Sequence, residues 1–340
     1  MKAAVFREAG KPFSVEDVPV PEPGPGELLI RVHRCGVCGS DLHMTDEHSC
    51  FNPPGGSVIG HEFAGEVVAL GDGTQAAWKE GHRLAALPYI GCGVCRACLS
   101  GDPTQCPDVR SQASGGAIGG FAEYCVVSAR DAVRLSDGLG WEEGAFVEPV
   151  AVGVHTVATA QIPMGARVLV LGAGPVGLAV AACARIAGAE AVAVAARTDR
   201  RADPAVTMGA SEFMLADDDL AQNFARHAGG PPEFVIECVG LPGMLGRATS
   251  LVAPRGTVVM AGACMQQESF MPIVATMKEL RVQFAICYSR REFAFAEKLI
   301  ASGRIDPMPM FDGTVGFDDF PGRFEELRTD KEVCKIMLKP

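Results

Sequence analysis

Residues 167–188 constrain the fold more than any other stretch of the chain. RVLVL (167–171) is an unbroken apolar run, the kind that is buried on both faces of a parallel sheet. It leads straight into GAGPVG (172–177), and an Ala-rich, helix-like segment then carries the chain to Gly188. Strand, G-x-G-x-x-G and helix in that order form a dinucleotide fingerprint. Gly172 serves the tight turn, Gly174 admits a pyrophosphate against the backbone, and Gly177 lets the helix lie close on the strand. Pro175 and Val176 complete the loop, where the helix N-terminus offers N–H donors to phosphate. Further strands are predicted at 191–195, 233–239 and 256–262 with helical stretches between them, the alternation of a doubly wound α/β domain. Val239, at the end of one of these strands, joins the candidate cofactor contacts.

The end of the second strand bears on which dinucleotide binds. An acidic residue about 20 residues past the glycines would take the ribose 2′-hydroxyl of NAD. Ala196 stands there instead, followed by Arg197, Thr198, Arg200 and Arg201. A missing carboxylate with guanidinium groups close by favours a 2′-phosphate, hence NADP(H) over NAD(H). Asp199 keeps open the plainer reading, a solvated basic turn.

A second constellation lies upstream. CGVCGSDLH (35–43) is followed, after a polar loop, by GHE at 60–62. A thiol, an imidazole and a carboxylate brought together by the fold suit zinc with one coordination position open, a catalytic rather than a structural arrangement. The alternative is a buried Cys beside a satisfied core His. With Cys38 and His61 on the metal, Ser40 can take the proton of a bound alcohol and His43 can pass it towards solvent. Asp41 can hydrogen-bond His61 and fix its tautomer. Ser40 also reads as a helix N-cap with Asp41 and His43 in the first turn, and the two roles are compatible. Residues 58–70 are strand-rich, so His61 and Glu62 can reach one metal only where the backbone bends, at Gly60. Downstream of an acidic, helix-like WEEGAF, Pro149 is expected to hold Glu148 extended, with its carboxylate in a cleft; a solvated Glu is the plainer reading.

Cys92, Cys95, Cys98 and Cys106 form C-x2-C-x2-C-x7-C inside a loop containing Gly, Pro and Asp. Four thiolates converging on one tetrahedral ion make a closed, structural zinc site, and metal would hold together a lobe too small to bury its own core. Iron–sulfur ligation is the other metal reading.

The whole chain fits this picture. Its 340 residues are enough for two domains. Net charge is −11 with no basic cluster, which argues against nucleic acid. No apolar run approaches a membrane span and the N-terminus does not read as a signal peptide, so a cytoplasmic location is expected. The chain has 13 cysteines, four of them in one short segment and most of the rest scattered singly, which fits metal sites in a reducing compartment rather than a disulfide framework. Strands are predicted at 2–6, 28–33 and 281–287, a glycine turn entering a strand at 115–127, a helix after residue 288, and a final strand at 333–338 expected to rejoin the first domain.

With these residues in place, the chain resembles the zinc-containing medium-chain alcohol dehydrogenases/reductases over essentially its whole length. The resemblance rests on GVCGSDLH (36–43), GHEFAGEV (60–67), the four-Cys lobe, GGFAEY (119–124), EPVAVGVH (148–155) and GAGPVG, in the family's order. It implies a β-rich GroES-like catalytic domain (1–150 and 285–340, with the zinc lobe at about 90–110) around a Rossmann domain (151–284), with the active site in the cleft between them. It implies catalytic zinc at Cys38 and His61, with Glu62 and Glu148 as carboxylates that exchange on the metal, and a second, structural zinc on the four cysteines. A homodimer or homotetramer is the family expectation.

The nearest branch is similar to the polyol, threonine and secondary-alcohol dehydrogenases. Sorbitol-type enzymes carry a Tyr after the relay His and an Arg-Tyr pair near the end of the cofactor domain; here those places hold Met44 and Cys287-Tyr288. Fewer hydrogen-bond donors disfavour a polyhydroxylated chain. The reading is therefore reversible, NADP-dependent oxidation of a secondary alcohol to a ketone. The alternatives are an NAD-dependent polyol (sorbitol- or idonate-like) or threonine dehydrogenase, and a non-enzymatic NADP-binding protein. A zinc-independent reductase of activated double bonds would lack the Cys38/His61 pair.

Overall fold

The computed structural model describes residues 1–330 and 332–340. The chain divides into two units. One comprises Met1–Glu148, Tyr288–Arg304 and Phe311–Pro340; the other comprises Pro149–Cys287 and Ile305–Met310. The returning segment, read from sequence as one continuous piece, thus lends Ile305–Met310 to the second unit. No helix among the described residues is long and apolar enough to cross a membrane.

The second unit is built on the apolar strand Arg167–Leu171, four of whose five residues are buried. It lies within a six-stranded parallel sheet with spatial order Glu212–Leu215, Ala191–Ala196, Arg167–Leu171, Phe234–Glu237, Thr257–Met260, Arg281–Phe284. The predicted strand 281–287 stops at Phe284. Pro175 opens the helix Pro175–Ile186, where its fixed φ fits and its missing N–H costs nothing. Leu169, Leu171, Ala193, Phe224, Val235 and Val258 form part of its core.

The first unit carries a seven-stranded sheet around the long strand Glu27–Gly36, which pairs antiparallel with Glu62–Leu70, Tyr124–Ser128 and Lys335–Leu338. The last strand starts at Lys335, two residues later than predicted, and pairs Met337 with Gly36 and Leu338 with Cys35. This register sets the C-terminal segment beside the chain that enters Cys38. A strand at Ser14–Asp17, not foreseen from sequence, pairs with Lys2–Val5. Beneath the sheet, Phe13 packs edge-on against Phe324 at 4.8 Å and Phe121 lies 4.9 Å from Phe320, ring centroid to centroid.

Two expectations are corrected. Glu148 is not extended: it lies in the first turn of the helix Val147–Ala160, where Pro149 is tolerated because the first N–H groups of a helix have no intrahelical partner. Ser40 is not the N-cap: Cys38 caps the short helix Gly39–Met44, and the Asp41 carboxylate returns to accept the Cys38 N–H at 2.9 Å.

Candidate active site

The Glu27–Gly36 strand delivers the chain to Cys38, and the helix that follows sets Ser40 and His43 one turn apart. Gly60 precedes His61 with φ +106°, and a Cβ there would come within 2.7 Å of the Phe121 ring, so this bend requires glycine. It turns His61 and Glu62 inwards together. One donor atom from each of Cys38, His61 and Glu62 lies within 4.8 Å of the others. Ser40 Oγ is 3.4 Å from His61 Nε2. On the other side of the ring, His61 Nδ1 lies 3.2 Å from the fully buried Asp41 carboxylate, off the line of a hydrogen bond. Burial opposes the imidazolium, but the charges of Asp41 and Cys38 outweigh it and hold the His61 pKa well above its ordinary value.

Two carboxylates serve this cluster, Glu62 within it and Glu148 outside it, each with its own donor. Both oxygens of Glu62 contact Lys335 Nζ, at 2.7 and 2.5 Å, and the same ammonium donates to the Val37 carbonyl at 2.8 Å. Burial disfavours the charged lysine, yet Glu62 and Cys38 hold its pKa above the ordinary value. Glu148 stands outside the 4.8 Å group and accepts a hydrogen bond from Tyr288 Oη at 2.6 Å. Burial pushes the Glu148 pKa up to about 7, with the Glu62 charge adding to the rise, while His61, Tyr288 and Lys335 pull the other way.

The four lobe cysteines also converge, with their sulfurs within 4.8 Å of one another. Backbone N–H groups of Cys95, Cys98 and Cys92 point at the sulfurs of Cys92 (3.4 Å), Cys95 (3.5 Å) and Cys106 (3.3 Å). Hydrogen bonds from the backbone draw the exposed Cys92 down to about 7, whereas burial pushes Cys98 up to about 12. A cation shared by all four sulfurs removes that conflict, because metal-bound thiols are deprotonated.

In the second unit, Gly172 takes φ +106° and Gly174 caps the helix that Pro175, Val176 and Gly177 enter. A Cβ on Gly177 would overlap the Gly172 carbonyl, so the strand and helix close up only with glycine there. Ala196 ends its strand, and Arg197 and Thr198 are exposed just beyond. Arg201 reaches back to donate to the Ala173 carbonyl at 3.2 Å, beside Gly174. Val239 packs on the same turn, its Cγ2 3.0 Å from where a Gly172 Cβ would stand.

These assemblies can be set beside known proteins. The alcohol dehydrogenase GroES-like domain family matches residues 24–137, and the zinc-binding dehydrogenase family matches residues 175–302. Sorbitol dehydrogenase of Gallus gallus is 30% identical over 99% of this chain and 96% of its own length. A zinc-binding dehydrogenase of Sinorhizobium meliloti, solved with NADP bound, superposes with a TM-score of 0.88 at 31% identity, over 100% of this chain and 99% of that one. The RspB alcohol dehydrogenase of Escherichia coli, solved with NADH, gives 0.89 at 28% identity, again over 100% and 99%. The chain belongs to the zinc-containing medium-chain alcohol dehydrogenases, in the sorbitol dehydrogenase-like branch.

As a member of this family it is a zinc-dependent alcohol dehydrogenase that uses a nicotinamide cofactor. The residues present fit both groups. Cys38, His61 and Glu62 offer the S, N and O donors zinc accepts, and the cysteine lobe offers four sulfurs. The glycine turn leaves the open backbone a pyrophosphate needs. Two residues of this dehydrogenase's site escaped the sequence reading. Lys335 is a single cation in the otherwise apolar strand KIML, and a charge at a buried strand position is the signal that marks it. Tyr288 keeps the Tyr of the sorbitol-type Arg-Tyr pair, with Cys287 as the departure, but nothing local marks its partnership with Glu148, which spans 140 residues of sequence.

Proposed function

We propose that this dehydrogenase catalyses the reversible oxidation of a secondary alcohol to a ketone with NADP(H), using Cys38, His61, Glu62 and Glu148 around a catalytic zinc and the four lobe cysteines around a structural one. The observation that carries the reading is the grouping of Cys38, His61 and Glu62 donors with Ser40 Oγ 3.4 Å from His61 Nε2. When bound, zinc supplies an electrophile for the substrate oxygen and the nicotinamide supplies the hydride acceptor. The chain does the rest. Ser40 receives the hydroxyl proton and His43, one helical turn on, carries it away, so that loss of a proton and a hydride converts the alcohol to the ketone. Asp41 faces His61 Nδ1 and keeps the proton on that nitrogen, leaving Nε2 to act as a donor atom. Lys335 and Tyr288 orient the two carboxylates.

Ala196 at the strand end and Arg201 beside Gly174 support NADP(H). The substrate reading of a less polar secondary alcohol rests on Met44 and Cys287, where a polyol enzyme carries further donors. A polyol substrate is the second reading, favoured by the likeness to sorbitol dehydrogenase. A homo-oligomer, dimeric or tetrameric, located in the cytoplasm completes the proposal, on family likeness and on composition. Initial rates with NADPH and NADH across acyclic, cyclic, aromatic and polyhydroxylated ketones test it. NADPH preference with apolar ketones supports it; activity with NADH on ketoses overturns it in favour of the polyol reading.

A further inference from the structure

Glu237 is a buried carboxylate that the chemistry above does not use. It ends the strand Phe234–Glu237 and is fully buried. Its Oε1 accepts the backbone N–H groups of Val239 at 2.5 Å and Gly240 at 2.9 Å. Its Oε2 has no hydrogen-bond partner and no cation balances the charge among the described residues; burial raises its pKa above the ordinary carboxylate value. Its own carbonyl accepts N–H groups from the neighbouring turn, Ala261 at 2.8 Å and Gly262 at 2.9 Å. One residue therefore holds two turns. They touch backbone to backbone: a Cβ on Gly240 would meet Ala263 N at 2.8 Å, and one on Gly262 would come within 2.6 Å of Glu237 Oε2. The first of these turns also packs on the glycine-rich turn, where a Gly172 Cβ would lie 3.2 Å from the Cys238 carbonyl carbon.

The sheet order says what lies above these turns. From Arg167–Leu171 the sheet grows one way to Ala191–Ala196 and the other way to Phe234–Glu237 and Thr257–Met260. A dinucleotide binds outside the carboxyl ends of the strands at this switch point, with its pyrophosphate on the helix N-terminus at Gly174 and its adenosine ribose at the end of the second strand. The nicotinamide riboside is left to the other side, over the carboxyl ends of Phe234–Glu237 and Thr257–Met260. Those ends are the two turns Glu237 holds.

We propose that Glu237 is a positioning residue for the nicotinamide half of the cofactor: by tying Val239 and Gly240 down against residues 261–263 it fixes the backbone surface on which that half rests. This inference rests on the nicotinamide-cofactor reading of the second unit. A flexible turn would have to be ordered by the cofactor itself, at a cost in affinity that a preset turn avoids.

The test compares the zinc-loaded full chain with its variants in calorimetric titrations with NADPH, NADH and two nicotinamide-free fragments, ADP-ribose and 2′-phospho-ADP-ribose. Glu237→Met removes the acceptor at similar size. It is expected to weaken the full dinucleotides by about tenfold or more, since two N–H groups lose a charged acceptor, and to leave fragment affinity within about twofold. Glu237→Gln keeps a neutral Oε1 acceptor for Val239 and Gly240 and puts an amide NH2 where the unpartnered oxygen stood, so it is expected to recover most of the dinucleotide affinity lost in Met. Glu237→Asp keeps the charge but withdraws it from Val239 and Gly240; it should show the same selective loss as Met and serves if the Met variant does not fold. Equal loss of dinucleotides and fragments, or no loss in either variant, overturns the proposal and leaves Glu237 a purely structural group. If the wild-type protein binds the fragments and dinucleotides equally well, the nicotinamide half contributes nothing, and the proposal falls there. Failure of the wild-type protein to bind any of the four overturns the underlying cofactor reading instead.

Discussion

Lys335 and Glu62, 273 residues apart in sequence, form a buried ion pair in which one ammonium contacts both carboxylate oxygens, at 2.7 and 2.5 Å. The antiparallel pairing of Met337 with Gly36 brings them together. Glu62 is thus charge-balanced before any metal arrives, and its carboxylate is held next to Cys38 and His61 rather than left to find them. Lys335→Met would strand a buried carboxylate, and the expected cost is about 3–5 kcal/mol in urea unfolding. A variant as stable as the wild type would show that Glu62 finds another partner.

Tyr288→Phe removes the hydroxyl that donates to Glu148 and nothing of the ring that stacks on Phe293 at 5.4 Å. Loss of one hydrogen bond to a buried acceptor is expected to lower stability by about 1–3 kcal/mol, with zinc content unchanged. Chemical unfolding together with metal analysis checks both parts. Loss of zinc would move Tyr288 from orienting a carboxylate to holding the metal site together.

Gly91 sits against the cysteine lobe, where a Cβ would come within 2.5 Å of Cys98 Sγ. If the lobe holds the proposed structural zinc, Gly91→Ala is expected to displace that sulfur and lower zinc content, read by a colorimetric chelator, with alcohol oxidation retained. Unchanged zinc content would mean that the lobe shifts as a whole to make room.

His33 stacks on Trp141, with ring centroids 4.0 Å apart and planes within 1°. Its burial lowers its pKa, Glu66 opposes, and Arg31, Arg34 and Arg83 add to the lowering. The folded value therefore lies below the unfolded value of about 6.5. The neutral ring is the form the fold favours: its stability is fully present above about pH 6.5 and is lost as pH falls towards the folded value. Stability measured by urea unfolding should decline from pH 7.5 to 5.5, and His33→Gln should flatten that decline. An unchanged slope would place the pH sensitivity elsewhere.

Much of this was legible in the sequence because the signals are local. RVLVL followed by GAGPVG sets strand, turn and helix within 20 or so residues, and Cys92 to Cys106 carry their ligand spacing in one loop. Long-range relations were not legible. Lys335 reaches Glu62, and Tyr288 reaches Glu148, only through sheet register and tertiary packing. Two local rules also competed. Pro149 disfavours helix for Glu148, but its place in the first turn lets the helix Val147–Ala160 begin before it. Ser40 is a good capping residue, yet Cys38 takes the cap because Asp41 supplies the returning carboxylate.

The most direct measurement is ketone reduction by NADPH in zinc-loaded wild type and in His61→Ala, with NADPH affinity titrated on the same preparations. His61 Nε2 stands beside Ser40 Oγ and shares the 4.8 Å cluster with Cys38 and Glu62, while the glycine turn belongs to the other unit. The expected result is turnover lowered by about a thousandfold or more, as a lost electrophile implies, with NADPH affinity within about twofold of wild type. Undiminished turnover in His61→Ala, or in wild-type protein stripped of zinc, would contradict a metal-centred alcohol dehydrogenase.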